Sequence, residues 1–230
     1  MSFADSIYKL ISETSCNLPS DVRRMICDTF AREEKGSLSK VALETICQNI
    51  DMAKDKNQAI CQDTGMPTFL VKVPVGFDQI NLYEMIRTQV ALATKNGLLR
   101  PNSVDSLTGK NSGNNLGPGT PVIHCHQYHG NEVVMELALK GGGSENMSAQ
   151  YSLPFEVPGM GCANRDLDGV KKCIMHAVLQ AQGQGCAPGY LGVCIGGDRP
   201  GGFAHAKEQL FRPAFDSNQN PELSALEKKI

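Results

Sequence analysis

Long apolar runs and a surplus of charge of either sign are missing from this sequence, and its first residues do not have the pattern of a secretory leader. No run approaches the roughly 18 consecutive apolar residues of a membrane-spanning helix. The formal net charge of −2 provides no extended positive field for a nucleic acid backbone or an anionic membrane surface. The first residues lack a charged segment followed by an apolar one. We therefore expect a cytoplasmic protein that binds neither nucleic acid nor membranes.

A disulfide framework is also missing. The sequence contains nine cysteines, an odd number, and their spacing does not match that of a small secreted protein. Most of them should be reduced thiols. Cys16, Cys27 and Cys47 fall in or beside helical patterns, and we expect them to be buried or half-buried structural thiols, because a free cysteine packs as a small apolar side chain.

The apolar spacing predicts an α+β fold in a single domain, residues 1–230, with a helical N-terminal segment and a small mixed or antiparallel sheet flanked by helices. Residues 1–59 are expected to be helical, and residues 60–210 to carry the functional loops. The predicted strands are Thr68–Val75, Pro121–Tyr128, Glu132–Leu139 and a short one at Val193–Ile195. The predicted helices beyond residue 59 are Ile80–Lys95, Asp168–Gln182, Ala204–Phe211 and one starting at Pro221.

Two stretches between these elements are predicted to be loops. Residues 100–121 are rich in Gly, Asn and Ser, and long ordered loops in compact domains tend to be functional. The run Gly141–Asn146 follows a strand, yet it lacks both the Gly-Lys-Ser/Thr ending of a phosphate-binding loop and the glycine spacing of a dinucleotide fold. Nucleotide binding is therefore disfavoured.

The most informative segment is Ala59–Pro67. It sets Cys61 among polar side chains on a turn, directly before an apolar strand. A packing cysteine would usually have aliphatic neighbours, whereas Cys61 is followed by Gln62 and Asp63 and by a flexible Gly-x-Pro corner. This pattern indicates a metal ligand or a nucleophile.

Five segments together resemble the iron–sulfur hydro-lyases of the class I fumarase and L-tartrate dehydratase family, in their alpha subunit or N-terminal domain. The segments are Ala59–Pro67, Leu99–Ser103, Thr108–Asn115, Gly141–Asn146 and Gly185–Asp198. They occur in the family's order, from about Cys61 to about Leu210, so a chance match is a poor explanation.

The resemblance implies a 4Fe-4S cluster with Cys61 and Cys186 as ligands. Both lie on loops beside Gly and Pro, where the backbone can bend around a cofactor. The family's third cysteine lies beyond the position of Ile230, and Cys162 and Cys194 are the nearest local substitutes. Because the sequence ends within a predicted helix, we expect the chain to be truncated, and inactive by itself.

A cluster held by three thiolates leaves one iron open. Dehydration of a 2-hydroxy dicarboxylate must expel hydroxide, and the open iron can act as a Lewis acid on the departing oxygen. The resemblance assigns Gln62 and Asp63 to catalysis and substrate contact, and Arg100, Gly142 and Gly143 to substrate binding. An arginine fork suits a carboxylate, and glycine amides can approach an anion closely. Asp63 could equally form a local turn with Gly65.

The resemblance also implies a partner, either a beta subunit or a C-terminal domain, and a homo-oligomer or an alpha/beta heteromer. Hydration of fumarate to L-malate is the expected reaction, and dehydration of L-tartrate is the near alternative. A thiol redox module built on Cys61 and Cys186, or a scaffold domain, is the alternative from another class. His124 and His126 share one face of a predicted strand and could bind zinc, although no fourth ligand appears at a familiar spacing.

Overall fold

The computed structural model describes residues 2–230, with helices at both ends of the chain and small sheets between them. The chain divides into two compact units, the first ending at Gly142 and the second running from Gly143 to Ile230. The predicted α+β class is confirmed. The assignment of residues 1–230 to a single domain stays a prediction.

The N-terminal segment is helical, as predicted, and it consists of three helices. They are α1 (Phe3–Cys16), α2 (Ser20–Arg32) and α3 (Leu38–Lys56). Ser2 caps α1, since its hydroxyl accepts a hydrogen bond from the Asp5 amide while the Asp5 carboxylate accepts one from the Ser2 amide. Asn57 ends α3 in the left-handed conformation. The chain then has only a few residues before it enters the Cys61 turn.

A three-stranded mixed sheet forms the centre of the first unit. Its strands are β1 (Met66–Pro74), β2 (Val122–Tyr128) and β3 (Val134–Lys140), in the order β2-β1-β3. β1 pairs with β2 in parallel and with β3 antiparallel. Helix α4 (Gln79–Lys95) makes the crossover that a parallel pair requires. All four elements match the predicted ones closely.

The core of this unit lies between the sheet and two helices. Phe69, Val71 and Val73 alternate along β1 and point to one face, where each is fully buried. Apolar side chains spaced four residues apart on α1 and α4 pack against them. These helix residues are Ile7, Ile11, Leu82, Ile86 and Val90.

The strand directions bring three loops, which carry residues of four of the five motif segments, to one end of the sheet. β1 and β2 both start at this end, and antiparallel β3 finishes there, because Met66 pairs with Lys140 and Thr68 with Val122. The Cys61 turn precedes β1, the loop ending at Thr120 precedes β2, and Gly141 follows β3. We call residues 61–65, 100–120 and 141–142 the sheet-end loops.

The second unit is built on a small hairpin and a helix. Strands β4 (Phe155–Val157) and β5 (Gly161–Ala163) pair antiparallel, and α6 (Leu167–Ala181) packs beside them through Cys173. The remaining elements are α5 (Gly142–Asn146), at the boundary of the two units, α7 (Arg199–Glu208), a 3-10 turn (Gln209–Phe211) and α8 (Pro221–Glu227). Among residues 2–230, no helix is both long enough and apolar enough to cross a bilayer.

Two sequence predictions for residues 141–230 are wrong, and one hairpin was missed. Val193–Ile195 is not a strand: Val193 and Ile195 are exposed and the segment pairs with no other strand within residues 2–230. Most of the predicted loop Gly141–Asn146 is the helical turn α5. The β4–β5 hairpin was not predicted, because strands of three residues are too short to establish an alternating pattern.

Two helix boundaries also differ from the predicted ones. Helix α7 begins at Arg199 instead of Ala204, since Pro200 stands at a first-turn position that favours helix initiation. Helix α8 ends at Glu227, with Lys228 as its C-cap, so the final residues of the sequence lie after a completed helix. The predicted helix start at Pro221 is confirmed.

Candidate active site

The Cys61 turn is held in place immediately before its thiol. The Ile60 amide donates a hydrogen bond to the Ser15 carbonyl at the end of α1, over 2.9 Å. The Asn49 side chain on α3 donates to the Ile60 carbonyl over 2.8 Å. Both polar groups of this peptide are therefore satisfied by the helical layer, while Cys61 and Gln62 are exposed. The thiol is thus presented to solvent from an anchored backbone.

Asp63 links two of the sheet-end loops through its carboxylate. One oxygen accepts a hydrogen bond from the Gly65 amide and the other accepts one from the Gly142 amide, each over 2.9 Å. The first bond closes the local turn with Gly65, which was the alternative role considered for Asp63. The second fastens the end of β3 to the Cys61 turn. A side chain at Gly141 would place its Cβ 2.9 Å from the same carboxylate.

Gly65 allows the turn to approach the end of β3. Its φ is +70°, in the left-handed region, and a Cβ at this position would lie 2.1 Å from the Lys140 carbonyl oxygen. Two independent constraints, the backbone conformation and the close approach, therefore require glycine at this position.

Thr64 connects the turn to the second loop. Its buried hydroxyl accepts a hydrogen bond from the Arg100 amide over 3.1 Å and lies 3.2 Å from the Asn102 amide oxygen, to which it donates. The segment Leu99–Ser103 is therefore held against the residues that follow Cys61. The guanidinium of Arg100 is exposed, although its backbone is fixed.

Asn115 organises the long loop from inside. Its side chain is 1% exposed, and its oxygen accepts hydrogen bonds from the amides of Asn102 and Ser103. Its amide group donates to the Arg100 carbonyl over 2.7 Å and to the Thr94 hydroxyl over 3.0 Å. One buried side chain thus satisfies four groups and carries the backbone of Arg100 and its neighbours.

Thr64 and Asn115 were not singled out from the sequence as functional residues. Both lie inside motif segments, at the fourth position after Ile60 and at the end of the Thr108–Asn115 block. Their burial was the missing information, because a Thr or an Asn in a glycine-rich loop is usually exposed. Their location within the motif segments was the only indication in the sequence that these two residues matter.

The two glycines predicted to bind substrate have different surroundings. The Gly142 amide already donates to Asp63. Gly143 is exposed at the start of α5, and a Cβ there would meet only the Gln184 carbonyl oxygen, at 3.8 Å. Gly142 therefore acts first as a structural link, and Gly143 is the glycine with an approachable backbone.

Cys186 lies in the second unit, on the stretch Gly185–Asp198, which we name the Cys186 segment. Cys186 is exposed, as are four apolar side chains after it. The segment touches α7 at Gly192, where a Cβ would lie 2.0 Å from the Ala206 carbonyl oxygen. The exposed apolar residues are Tyr190, Leu191, Val193 and Ile195.

Comparison with known proteins identifies the family of this chain. The family model described as fumarate hydratase (Fumerase) matches residues 4–230. The chain belongs to the fumarate hydratase family. A provisionally named class I fumarate hydratase of Geobacillus stearothermophilus is 56% identical over 226 residues, which are 98% of this chain and 44% of that protein.

More distant relatives of this fumarate hydratase family member carry another name. A provisionally named L(+)-tartrate dehydratase subunit alpha of Methanocaldococcus jannaschii is 30% identical, over 100% of this chain and 79% of that protein. The L(+)-tartrate dehydratase subunit alpha of Escherichia coli is 27% identical, over 94% of this chain and 69% of that protein. The chain thus spans less than half of its Geobacillus relative and more than two thirds of these alpha subunits.

The cysteines of this family member differ in how well they suit an iron–sulfur cluster. Burial raises the pKa of Cys16, Cys125 and Cys173, which disfavours the thiolate that iron requires. Cys61 and Cys186 are exposed and lie among glycines and polar residues, so a cofactor could reach both thiols, as it could those of Cys27 and Cys162.

A third ligand is not supplied by a preformed cluster of side chains. Within residues 2–230, no group of three or more His, Cys, Asp or Glu side chains could hold a metal ion. This finding leaves the zinc hypothesis for His124 and His126 without support. Of the local substitutes, Cys162 donates to the Asn164 side chain over 3.5 Å and Cys194 donates to the Gly196 carbonyl over 3.9 Å.

Proposed function

We propose that this chain is the alpha part of an iron–sulfur hydro-lyase that interconverts fumarate and L-malate. The observation that carries the proposal is the 56% identity, over nearly the whole chain, to the Geobacillus protein named as a class I fumarate hydratase. The convergence of the three sheet-end loops at one end of the sheet supports it, since a site needs its groups within reach of one substrate.

The proposed cluster ligands are Cys61 and Cys186, with a third ligand from outside residues 2–230. When bound, a cluster with an open iron would supply a Lewis acid for the substrate hydroxyl. The anchored backbone before Cys61 favours this role, because a ligand held on a fixed peptide loses little conformational freedom on binding.

The proposed substrate contacts are Arg100, Gln62 and Gly143, with Asp63 beside them. The Arg100 guanidinium can pair with a carboxylate in a bidentate manner. Its backbone is held by Thr64 and Asn115, so the position from which the side chain extends is set before substrate arrives. Both Asp63 oxygens accept a backbone amide, and each keeps a further lone pair that can accept from a substrate hydroxyl. Gly142 remains a candidate only if its bond to Asp63 opens.

We propose further that catalysis requires a second polypeptide region, as a beta subunit or as a C-terminal domain. The chain corresponds to 44% of the Geobacillus protein, and two other relatives are named as alpha subunits. The region would supply remaining carboxylate-binding and acid or base groups, in a homo-oligomer or an alpha/beta heteromer. The chain by itself is expected to be inactive.

Anaerobic reconstitution with iron and sulfide tests the cofactor proposal. The chain is loaded together with its partner region, and iron content and visible absorbance are measured. We expect Cys61→Ser and Cys186→Ser each to abolish stable loading. Cys27→Ser, at another exposed cysteine, is the matched control and should load like the wild type. Equal loading of all four proteins would overturn the ligand assignment, and loss on Cys162→Ser or Cys194→Ser would identify a local third ligand.

Activity measurements test the substrate proposal. Fumarate hydration is followed through the loss of its ultraviolet absorbance, and L-tartrate is assayed in parallel. Arg100→Lys should lower kcat/KM for fumarate by about tenfold to a hundredfold, because a charge-assisted bidentate contact contributes about 1.5–3 kcal/mol. Arg87→Lys, on helix α4, is a control that should leave the rate unchanged. Turnover of tartrate in preference to fumarate would assign the protein to the alternative reaction.

A non-catalytic role predicts a different outcome. A thiol redox module would link Cys61 to Cys186 under mild oxidation, and it would take up no iron or sulfide. A scaffold domain would fold without metal and would show neither response. The anaerobic reconstitution therefore separates the enzyme from both alternatives, and mild oxidation then separates the redox module from the scaffold domain.

A further inference from the structure

Helices α2 and α3 form an antiparallel hairpin whose register is visible from two contacts. Arg23 on α2 forms an ion pair with Asp51 on α3. Nearer the connection, the Lys40 ammonium contacts the Phe30 carbonyl at 2.6 Å and lies 4.2 Å from the centre of its ring. These contacts align the two helices along most of the length of α2.

This register places two cysteines opposite each other. Cys27 lies one turn after Arg23, and Cys47 lies one turn before Asp51. Since Arg23 faces Asp51, Cys27 faces Cys47 one turn further along the two helices. The Cys27 thiol lies close enough to Cys47 to affect the pKa of the Cys47 thiol. Cys27 is exposed, so the expectation that it would be buried or half-buried is wrong, whereas Cys47 is half-buried against the apolar cluster around Ile26.

The surroundings give the two thiols different roles. Burial is the main reason that the pKa of Cys47 is raised; the neighbouring Cys27 thiol adds to this, and the positive charge of Arg23 opposes it. Cys47 is therefore held as a protonated thiol at neutral pH. Cys27 is the thiol that an oxidant in solution meets first.

We propose that Cys27 and Cys47 form a reversible disulfide that fastens α2 to α3 when the chain meets a small-molecule disulfide oxidant. The Cys27 thiolate attacks one sulfur of the oxidant, whose S–S bond breaks and releases one thiol. The Cys47 sulfur then loses its proton to water and attacks Cys27 in the mixed disulfide, and the second thiol leaves. The protein loses two hydrogens in total, and the oxidant becomes two thiols.

The disulfide would act close to the Cys61 turn. Asn49, which donates to the Ile60 carbonyl, lies two residues after Cys47 on α3. Ile60 itself packs against the apolar cluster that α2 and α3 share. Fixing α2 on α3 would therefore stiffen the layer that anchors the backbone before Cys61. The proposal concerns the bridge itself and does not depend on the proposed function.

Oxidised glutathione is the probe. The full chain is reduced, freed of reductant, incubated with the probe under anaerobic conditions and alkylated. It is then digested without reductant for mass spectrometry. We expect a linked peptide pair containing Cys27 and Cys47, no glutathione on either of these two cysteines, a higher Tm and full reversal by dithiothreitol.

Single variants sharpen this result. Cys27→Ser, at an exposed position, should fold normally and lose both the linked peptide and the rise in Tm. Cys162→Ser, at another exposed cysteine, should keep both. A wild-type chain whose Cys27 carries glutathione while Cys47 is still alkylated would overturn the proposal. The wild-type peptide map decides the question even if Cys47→Ser fails to fold.

Discussion

The sheet-end loops and the Cys186 segment carry equally clear sequence motifs, yet they are held in very different ways. In the first unit, Thr64, Asp63 and Asn115 join three loops through hydrogen bonds, and two of these residues are buried. In the second unit, the Cys186 segment leaves four apolar side chains exposed and approaches α7 at Gly192.

A motif can therefore be held in place in two ways. A buried polar side chain with all its partners fixes a loop before any ligand arrives, because breaking one bond would leave a buried group unsatisfied. A segment that contacts its unit through a close backbone approach depends on fewer interactions. We therefore expect substitutions in the sheet-end loops to cost more stability than those in the Cys186 segment.

The largest effect is expected at Gly65. Gly65→Ala should destabilise the first unit by about 2–5 kcal/mol, since a left-handed Ala costs about 1–2 kcal/mol and overpacking about 1–3 kcal/mol. Gly109→Ala is the matched control, because its φ of +68° is nearly the same and no atom lies within 4 Å of its Cβ position. Urea denaturation measures both. Equal losses would mean that the approach to Lys140 contributes nothing.

The second effect concerns Asn115. Asn115→Ala should cost about 2–4 kcal/mol, because two part-buried backbone amides and one part-buried carbonyl lose their partner, and an unsatisfied buried group costs about 1–3 kcal/mol. Asn114→Ala, at the exposed neighbour, should cost less than about 1 kcal/mol. Hydrogen exchange at Asn102 and Ser103 reports the same difference locally. Unchanged exchange in Asn115→Ala would contradict the central role of this side chain.

A third, smaller effect tests the Cys186 segment. Gly192→Ala should destabilise the second unit by about 1–3 kcal/mol through the clash with the Ala206 carbonyl. Gly189→Ala, which has no atom within 4 Å of its Cβ position, should stay within about 0.5 kcal/mol of the wild type. If Gly192→Ala proves as costly as Gly65→Ala, the contrast between the two regions does not hold.

The smallest effect is a pH dependence within the long loop. Hydrogen bonds from the Thr108 amide and hydroxyl and from the Leu107 amide lower the pKa of the exposed Asp105 carboxyl. Because the folded pKa lies below the unfolded value of about 3.9, the stabilisation is complete above that value and is lost as pH falls through the folded pKa. A carboxyl NMR titration of Asp105 should have a midpoint below about 3.9, and a midpoint above it would contradict this.

Much of the fold could be predicted from the sequence, because its strands and long helices have strong periodic patterns. β1 and α4 illustrate this, since their apolar residues follow periods of two and of about four residues. The β4–β5 hairpin could not be predicted, because its strands have three residues each. Val193–Ile195 failed for the opposite reason: an apolar run has the composition of a strand but finds no partner strand in the part of the chain that the structure describes.

The candidate site was predictable in its exposed residues and not in its supports. Cys61 and Arg100 attract notice because of their chemistry, and both are exposed where their motifs lie. The role of Asn115 depends on its burial beneath residues 100–103, and that burial follows from tertiary packing, which local patterns do not contain. Asp63 was left with two possible roles, and the structure shows that it forms the local turn.

The alternation of side chains along β1 also determines the position of the Cys61 turn that precedes the strand. Sliding β1 by one position against its neighbours would turn Lys72 toward the face now filled by Phe69, Val71 and Val73. Burying the charged Lys72 would disfavour such a shift. The apolar core therefore fixes the register of β1, and with it the position at which the Cys61 turn enters the strand.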